Sequence, residues 1–124
     1  IFIIAQKNLA VNSSCEYFAA NNIIPINGGY VMKLYFDNLR DLLIFNIKYY
    51  RYVNNYSQEK LAELSKLSPR YITDVERGLH CPTIPKIESI AKSLNIEPYQ
   101  LFVNIERDVD IVNKMKQGRQ YNQR

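Results

Sequence analysis

Residues 57–78 read SQEKLAELSKLSPRYITDVERG, and this stretch decides the fold: it describes two short helices joined by a turn too tight to be a loop. Ser57 can cap the first helix by accepting a hydrogen bond from an early backbone N–H, and Leu61, Ala62 and Leu64 give that helix an apolar face. Ser65, Lys66 and Leu67 break the pattern. Ser68 and Pro69 restart it, with a hydroxyl cap followed by a proline at the first helical position, where its missing N–H costs nothing. Ile72, Val75 and Leu79 are read as facing inward from the second helix. Small Ala62 lets the two helices approach closely, and Leu67 plugs the angle between them. Helices this short draw their stability from tertiary packing, so the flanking chain must complete a core.

Working outward, periodicity begins at Asp37, with Leu39, Leu42/Leu43, Ile47 and Tyr50 spaced three and four apart on one helical face. Asp37 is the expected cap. Asn54-Asn55 is the expected exit, because asparagine tolerates the left-handed conformation. On the other side Gly78 stops the second helix of the pair, residues 79–82 turn the chain, and Thr83 is read as the cap of a fourth helix. Its apolar stripe is Ile87, Ile90, Ala91 and Leu94, Pro85 is confined to the first turn, and Asn95 is the exit. Pro98 opens a fifth, short helix carrying Leu101, Phe102 and Val103. The tail carries Ile105, Val109, Val112 and Met115, with acids first (Glu106, Asp108, Asp110) and bases last (Lys114, Lys116), an order that suits a helix dipole. It either pairs across a two-fold axis or folds back over the core. Residues 117–124 are polar and basic, and disorder is expected there.

With no strand foreseen, the expected fold class is all-α. Residues 37–103 form a compact five-helix domain, and residues 104–124 a short C-terminal helix and basic tail. Residues 1–36 are an extension, disordered or read through from upstream. Residues 1–31 show scattered apolar pieces and no sustained period of 2 or 3.6. Gly28-Gly29 can be encoded GGA-GGU, the core of a bacterial ribosome-binding site, shortly before Met32. Met32 as the true start is therefore one reading, and a genuine extension is the other.

A length of 124 residues is one domain with a short appendage, and 47% hydrophobic content is enough for a core. Net charge of +4 leans toward anionic partners, a lean many ordinary proteins share. Cys15 and Cys81 lie far apart with no metal-ligand spacing, and the lone His80 adjoins Cys81, so no metal is expected and a reduced cytoplasmic setting is the simple reading. No apolar run reaches the roughly 20 residues of a membrane span, and no cofactor or small-molecule site is indicated.

These residues resemble the Cro and phage-repressor type of helix-turn-helix, often called the Xre family. The resemblance runs through Ser57-Gln58, Leu61-Ala62, Leu67-Ser68, Ile72-Thr73 and Val75-Glu76-Arg77-Gly78. It continues through Pro82-Thr83, Ile87, Ile90-Ala91, Leu94 and Glu97-Pro98 to Leu101-Phe102, covering about residues 41–103. It implies a lambda-repressor-like domain whose second motif helix enters the DNA major groove, and a regulator acting as a homodimer on a two-fold operator. Two departures stand out. Lys66 occupies the turn where the family has glycine, so it must carry a positive φ at about 1 kcal/mol relative to glycine. Asn55 likewise replaces the glycine after the first helix, a milder change.

In this register Pro69, Arg70, Thr73 and Asp74 are the expected base contacts. Arg70 can donate twice to guanine O6 and N7, Asp74 can hold that guanidinium or accept from a cytosine amine, and Thr73 can offer its methyl to thymine and its hydroxyl to either base type. Pro69 makes apolar contact or only fixes the helix start. The plainer reading of Arg70 and Asp74 is a solvated i, i+4 pair. Phosphate contacts are expected from Gln58, Lys66, Tyr71, Arg77 and Lys86. Arg51 and Glu76 match a pair that in relatives ties the first helix to the recognition helix, and the expected role is structural. Two other functions compete. A protein-interaction module that kept the fold and lost DNA binding is favoured by near-neutral residues 41–103, with eight Lys/Arg against seven Asp/Glu. An enzyme lacks a nucleophile to pair with the histidine, a metal spacing and a phosphate loop.

Overall fold

The structure, a computed structural model, describes residues 22–122. Its order is β1 (Ile23–Ile26), β2 (Gly29–Met32), α1 (Leu39–Val53), α2 (Gln58–Ser65), α3 (Pro69–Glu76), α4 (Ile84–Ser93), a 3-10 turn (Pro98–Phe102), β3 (Arg107–Asp108) and α5 (Val109–Asn122). α2 packs on α3 and α4, and α1 packs on α3, the 3-10 turn and α5.

The helix ends follow local chemistry. The Ser57 side chain accepts from the Lys60 N–H and that of Ser68 from the Tyr71 N–H, so both motif helices are capped as read. Lys66 is left-handed at φ 57°, and behind it the Leu67 N–H closes onto the Ala62 carbonyl at 2.9 Å. Asn55 and Asn95 take the same conformation at φ 55° and 60°. Two expected caps are corrected. α1 is capped by Asn38, whose side chain accepts from the Asp41 N–H, one residue after Asp37. Thr83 stands at the cap position of α4 without a side-chain hydrogen bond there. The fifth expected helix is a 3-10 turn closed by Glu97 and Gln100, too short for an α-helical ladder.

Two hydrophobic cores result. The first joins Leu43, Ile47, Leu61, Ala62, Ile72, Val75, Ile87, Ile90, Ala91, Leu94 and Leu101, most of the inward positions that the spacing indicated. Leu39, Leu64, Leu79 and Val103, expected to face inward, are 59%, 42%, 60% and 42% exposed. Leu39 begins its helix before the core layer starts, and Gly78, at φ +78°, turns the chain so that Leu79 leaves the helical face.

The second core corrects the all-α expectation. β1, β2 and β3 form an antiparallel sheet in that order, Ile24 opposite Val31 and Met32 opposite Arg107. Met32 is buried with Tyr49, Val112 and Met115 between this sheet, α1 and α5. Residues 23–32 are thus a packed hairpin where a structureless extension was expected. Strands of four residues are too short to show a period, and their stability comes from helices distant in sequence. Residues 1–21, with most of the upstream-sequence reading and Cys15, lie outside the described residues. Of the two arrangements left open for the tail, α5 takes the second and folds back over α1.

A buried arginine ties this layer down. Arg107 is fully enclosed and donates to Asn46 Oδ1 at 2.5 Å, Asn104 Oδ1 at 2.9 Å and the Ile105 carbonyl at 2.8 Å. Its guanidinium lies over the rings of Phe36, Phe45 and Tyr49, and among the described residues it has no carboxylate partner. Burial draws its pKa below the ordinary arginine range, against the opposing influence of Tyr49 and Tyr50. Asn46 also donates to the Leu101 and Val103 carbonyls, so one amide joins both cores.

Candidate nucleic-acid interface

α3 buries Ile72 and Val75 completely, which turns residues 70, 74 and 77 outward on one line by the helical period. Arg70 begins that line with a side chain 90% exposed, its Nε 3.9 Å from Asp74 Oδ2, while Asp74 is only 16% exposed. The carboxylate lies largely against the surface and the guanidinium extends into solvent. Pro69 and Arg77 are exposed at the two ends of the helix, about 12 Å apart at the α-helical rise.

One flank of α3 is a hydrogen-bonded chain reaching α1 and α2. Arg51 grips Glu76 with two parallel bonds, Nε to Oε1 at 2.6 Å and Nη2 to Oε2 at 3.0 Å, and its third nitrogen donates to the Tyr56 carbonyl at 2.8 Å. Both side chains are at least nine-tenths buried. Burial opposes the Arg51 charge, but the hydrogen bond and charge of Glu76, with Tyr52, outweigh it and hold the pKa above the ordinary value. Gln58 extends the chain: its Nε2 donates to Glu76 Oε2 at 2.8 Å, and its Oε1 accepts from Thr73 Oγ1 at 2.8 Å. The sequence pointed to Gln58 and Thr73 separately as phosphate and base contacts, and the structure joins them. The Thr73 hydroxyl proton is directed to Gln58 or the Pro69 carbonyl, which leaves its methyl as the group to offer a base.

The other flank is aromatic and cationic. The Tyr71 ring stacks on His80, centroids 5.9 Å apart and planes inclined by 11°, and the Lys86 ammonium lies 4.1 Å from the Tyr71 centroid. Lys86, at the start of α4, is thus brought beside the recognition helix. Lys66 is not: it lines a cleft with Tyr56, Leu64, Ser89, Lys92, Ser93 and Asn95 at the C-terminal ends of α2 and α4, a helix length away from Gln58.

Three participants escaped the sequence reading. His80 was weighed only as a metal ligand or catalytic partner, yet its Nε2 lies 3.7 Å from Asp74 Oδ2. The Gly78 turn that carries it back was legible, but its destination was not. Arg40 donates from Nη2 to the Gly78 carbonyl, pinning the exit of α3 to the start of α1. Asn46, a polar residue on the apolar face of α1, was the visible sign that something polar is buried there. Cys81 is exposed. Among the described residues no cluster of three or more His, Cys, Asp or Glu could hold a metal, and no helix is long and apolar enough to cross a membrane.

Capped paired helices, a protruding recognition-helix face and flanking helix N-termini together define a helix-turn-helix reader of duplex DNA. The chain belongs to the helix-turn-helix family, of Cro and Xre type, whose pattern matches residues 47–101, and it is a DNA-binding transcriptional regulator. It is similar to the control protein C.SmaI of Serratia marcescens, 42% identical over 60 residues that span 48% of this chain and 71% of that protein. Among solved structures, the hypothetical transcription factor NHTF from Neisseria matches with a TM-score of 0.54 at 28% identity, covering 65% of this chain and 87% of that one. The restriction-modification controller protein C.Esp1396I matches with a TM-score of 0.50 at 33% identity, covering 54% and 86%. The family is one of regulators rather than enzymes.

Proposed function

We propose that the chain acts as a cytoplasmic homodimer on a two-fold operator, controlling transcription by occupancy as a restriction-modification controller does. The observation that carries this reading is the outward line on α3: a solvent-exposed Arg70 beside an Asp74 set largely against the surface, flanked by Gln58 on one side and Tyr71 and Lys86 on the other. Arg70 reads guanine, Asp74 accepts from cytosine, and Pro69 and the Thr73 methyl make apolar contacts. Gln58, Tyr71, Arg77 and Lys86 meet phosphates, and Lys66 contributes least because it faces the far cleft.

A single recognition helix spans only a few base pairs, so specificity calls for two, with half-sites about 34 Å apart. The exposed apolar side chains of Tyr99 and Val103 support self-association at the 3-10 turn. The test is selection of bound sequences from random DNA, with sedimentation velocity of the full chain. A two-fold motif bound by a dimer is the expected outcome. A flat selection would transfer the weight to a protein-interaction role.

A further inference from the structure

Asp74 Oδ2 is approached by two basic side chains at once, Arg70 Nε at 3.9 Å and His80 Nε2 at 3.7 Å. Neither distance is a hydrogen bond, so neither partner has closed on the oxygen. His80 is held for this position by its stack on Tyr71 and by the turn after α3, where the Leu79 N–H donates to the Asp74 carbonyl at 2.8 Å. The charged and titratable groups around the imidazole are Asp74, Arg70 and Tyr71 from α3, and Lys86 from α4 across the Tyr71 ring.

We infer that His80 is a positioning residue for base reading: it competes with Arg70 for one oxygen of Asp74, and so sets how firmly that carboxylate holds the guanidinium back from DNA. The inference rests on the proposed role of Arg70 as a base contact. Histidine changes charge across the neutral range, taking its proton from solvent. A charged His80 draws Asp74 Oδ2, and Arg70 is released toward guanine. A neutral His80 leaves the carboxylate to Arg70, so part of the guanidinium's interaction with the base must be exchanged for the ion pair it gives up.

Protonation also adds charge that attracts any DNA, so the discriminating measurement is a ratio. The probe is the tightest duplex recovered by selection from random DNA, compared with the same duplex changed at the base pair that loses discrimination in Arg70→Ala. Both are measured at pH 8 and pH 6 at one salt concentration. The preferred-to-changed affinity ratio should rise about two- to fivefold on acidification, the scale of a single exposed ion pair, and should be pH-independent in His80→Gln and in Asp74→Asn. A ratio that is flat in the wild type, or that still rises in His80→Gln, overturns the inference. If Arg70→Ala loses discrimination at no position, or no motif is recovered, the base-reading assignment beneath it falls instead.

Discussion

Replacing Arg51 by alanine tests the joint on which the interface is mounted. The substitution removes both bonds to Glu76 and the bond to the Tyr56 carbonyl, and leaves a carboxylate only 3% exposed with the Gln58 amide as its remaining side-chain donor. Stranding one member of a buried pair commonly costs about 3–5 kcal/mol, consistent with two or three polar groups losing partners at about 1–3 kcal/mol each. For a folded unit of this size each kcal/mol lowers the melting temperature by roughly 4–8 °C, so the fall should be about 12 °C or more. Circular-dichroism melting and urea titration both read it. The raised Arg51 pKa means that its contribution is complete below arginine's ordinary value and disappears only as pH rises through the folded value, so the deficit should persist from pH 6 to pH 9. The double change of Arg51 and Glu76 to leucine should recover part of the loss, because no orphaned charge remains. An Arg51→Ala protein that melts with the wild type would refute the buried pair as a structural element.

The other expectations are more local. Lys66→Gly relieves a left-handed non-glycine residue and should stabilise by about 1 kcal/mol in urea titration, less the entropy that glycine returns to the unfolded chain. A loss of stability would mean that the turn draws on the lysine side chain. Arg107→Ala opens a hole among Phe36, Phe45 and Tyr49 and should speed amide exchange in α5 and β2 while α2 and α3 stay protected. Uniform loss across the chain would show that the two cores unfold as one. Arg70→Ala should weaken the selected duplex by about 1–3 kcal/mol and random DNA little, and equal losses would demote Arg70 to a phosphate contact. Affinity should fall with salt at a log–log slope of about −0.9 per phosphate contacted, and a slope near zero would argue against DNA as the partner.

The motif was legible because its signals are local. A hydroxyl cap with Pro69 behind it, a left-handed position at Lys66 and apolar residues at helical spacing act within a turn or two of chain, and the structure places the caps, the turn and the buried Leu61, Ala62, Ile72 and Val75 where those signals put them. The hairpin and second core were not legible for the opposite reason. Met32 meets Val112 and Met115 some eighty residues later in the chain, and no period in a four-residue strand announces that contact. Leu39 and Leu79 show the limit of periodicity at helix ends, where the stripe continues in sequence after the core has stopped in space.

The same division runs through the interface. By itself the sequence determined which residues line α3 and which of them face outward, since helical geometry follows from spacing and capping. Only the tertiary structure decided that Gln58 and Thr73 share a bridge anchored by Glu76, that Lys66 faces away, and that His80 returns to Asp74. Those relations depend on how separate elements dock, and docking is set by side-chain packing among residues that no local rule connects.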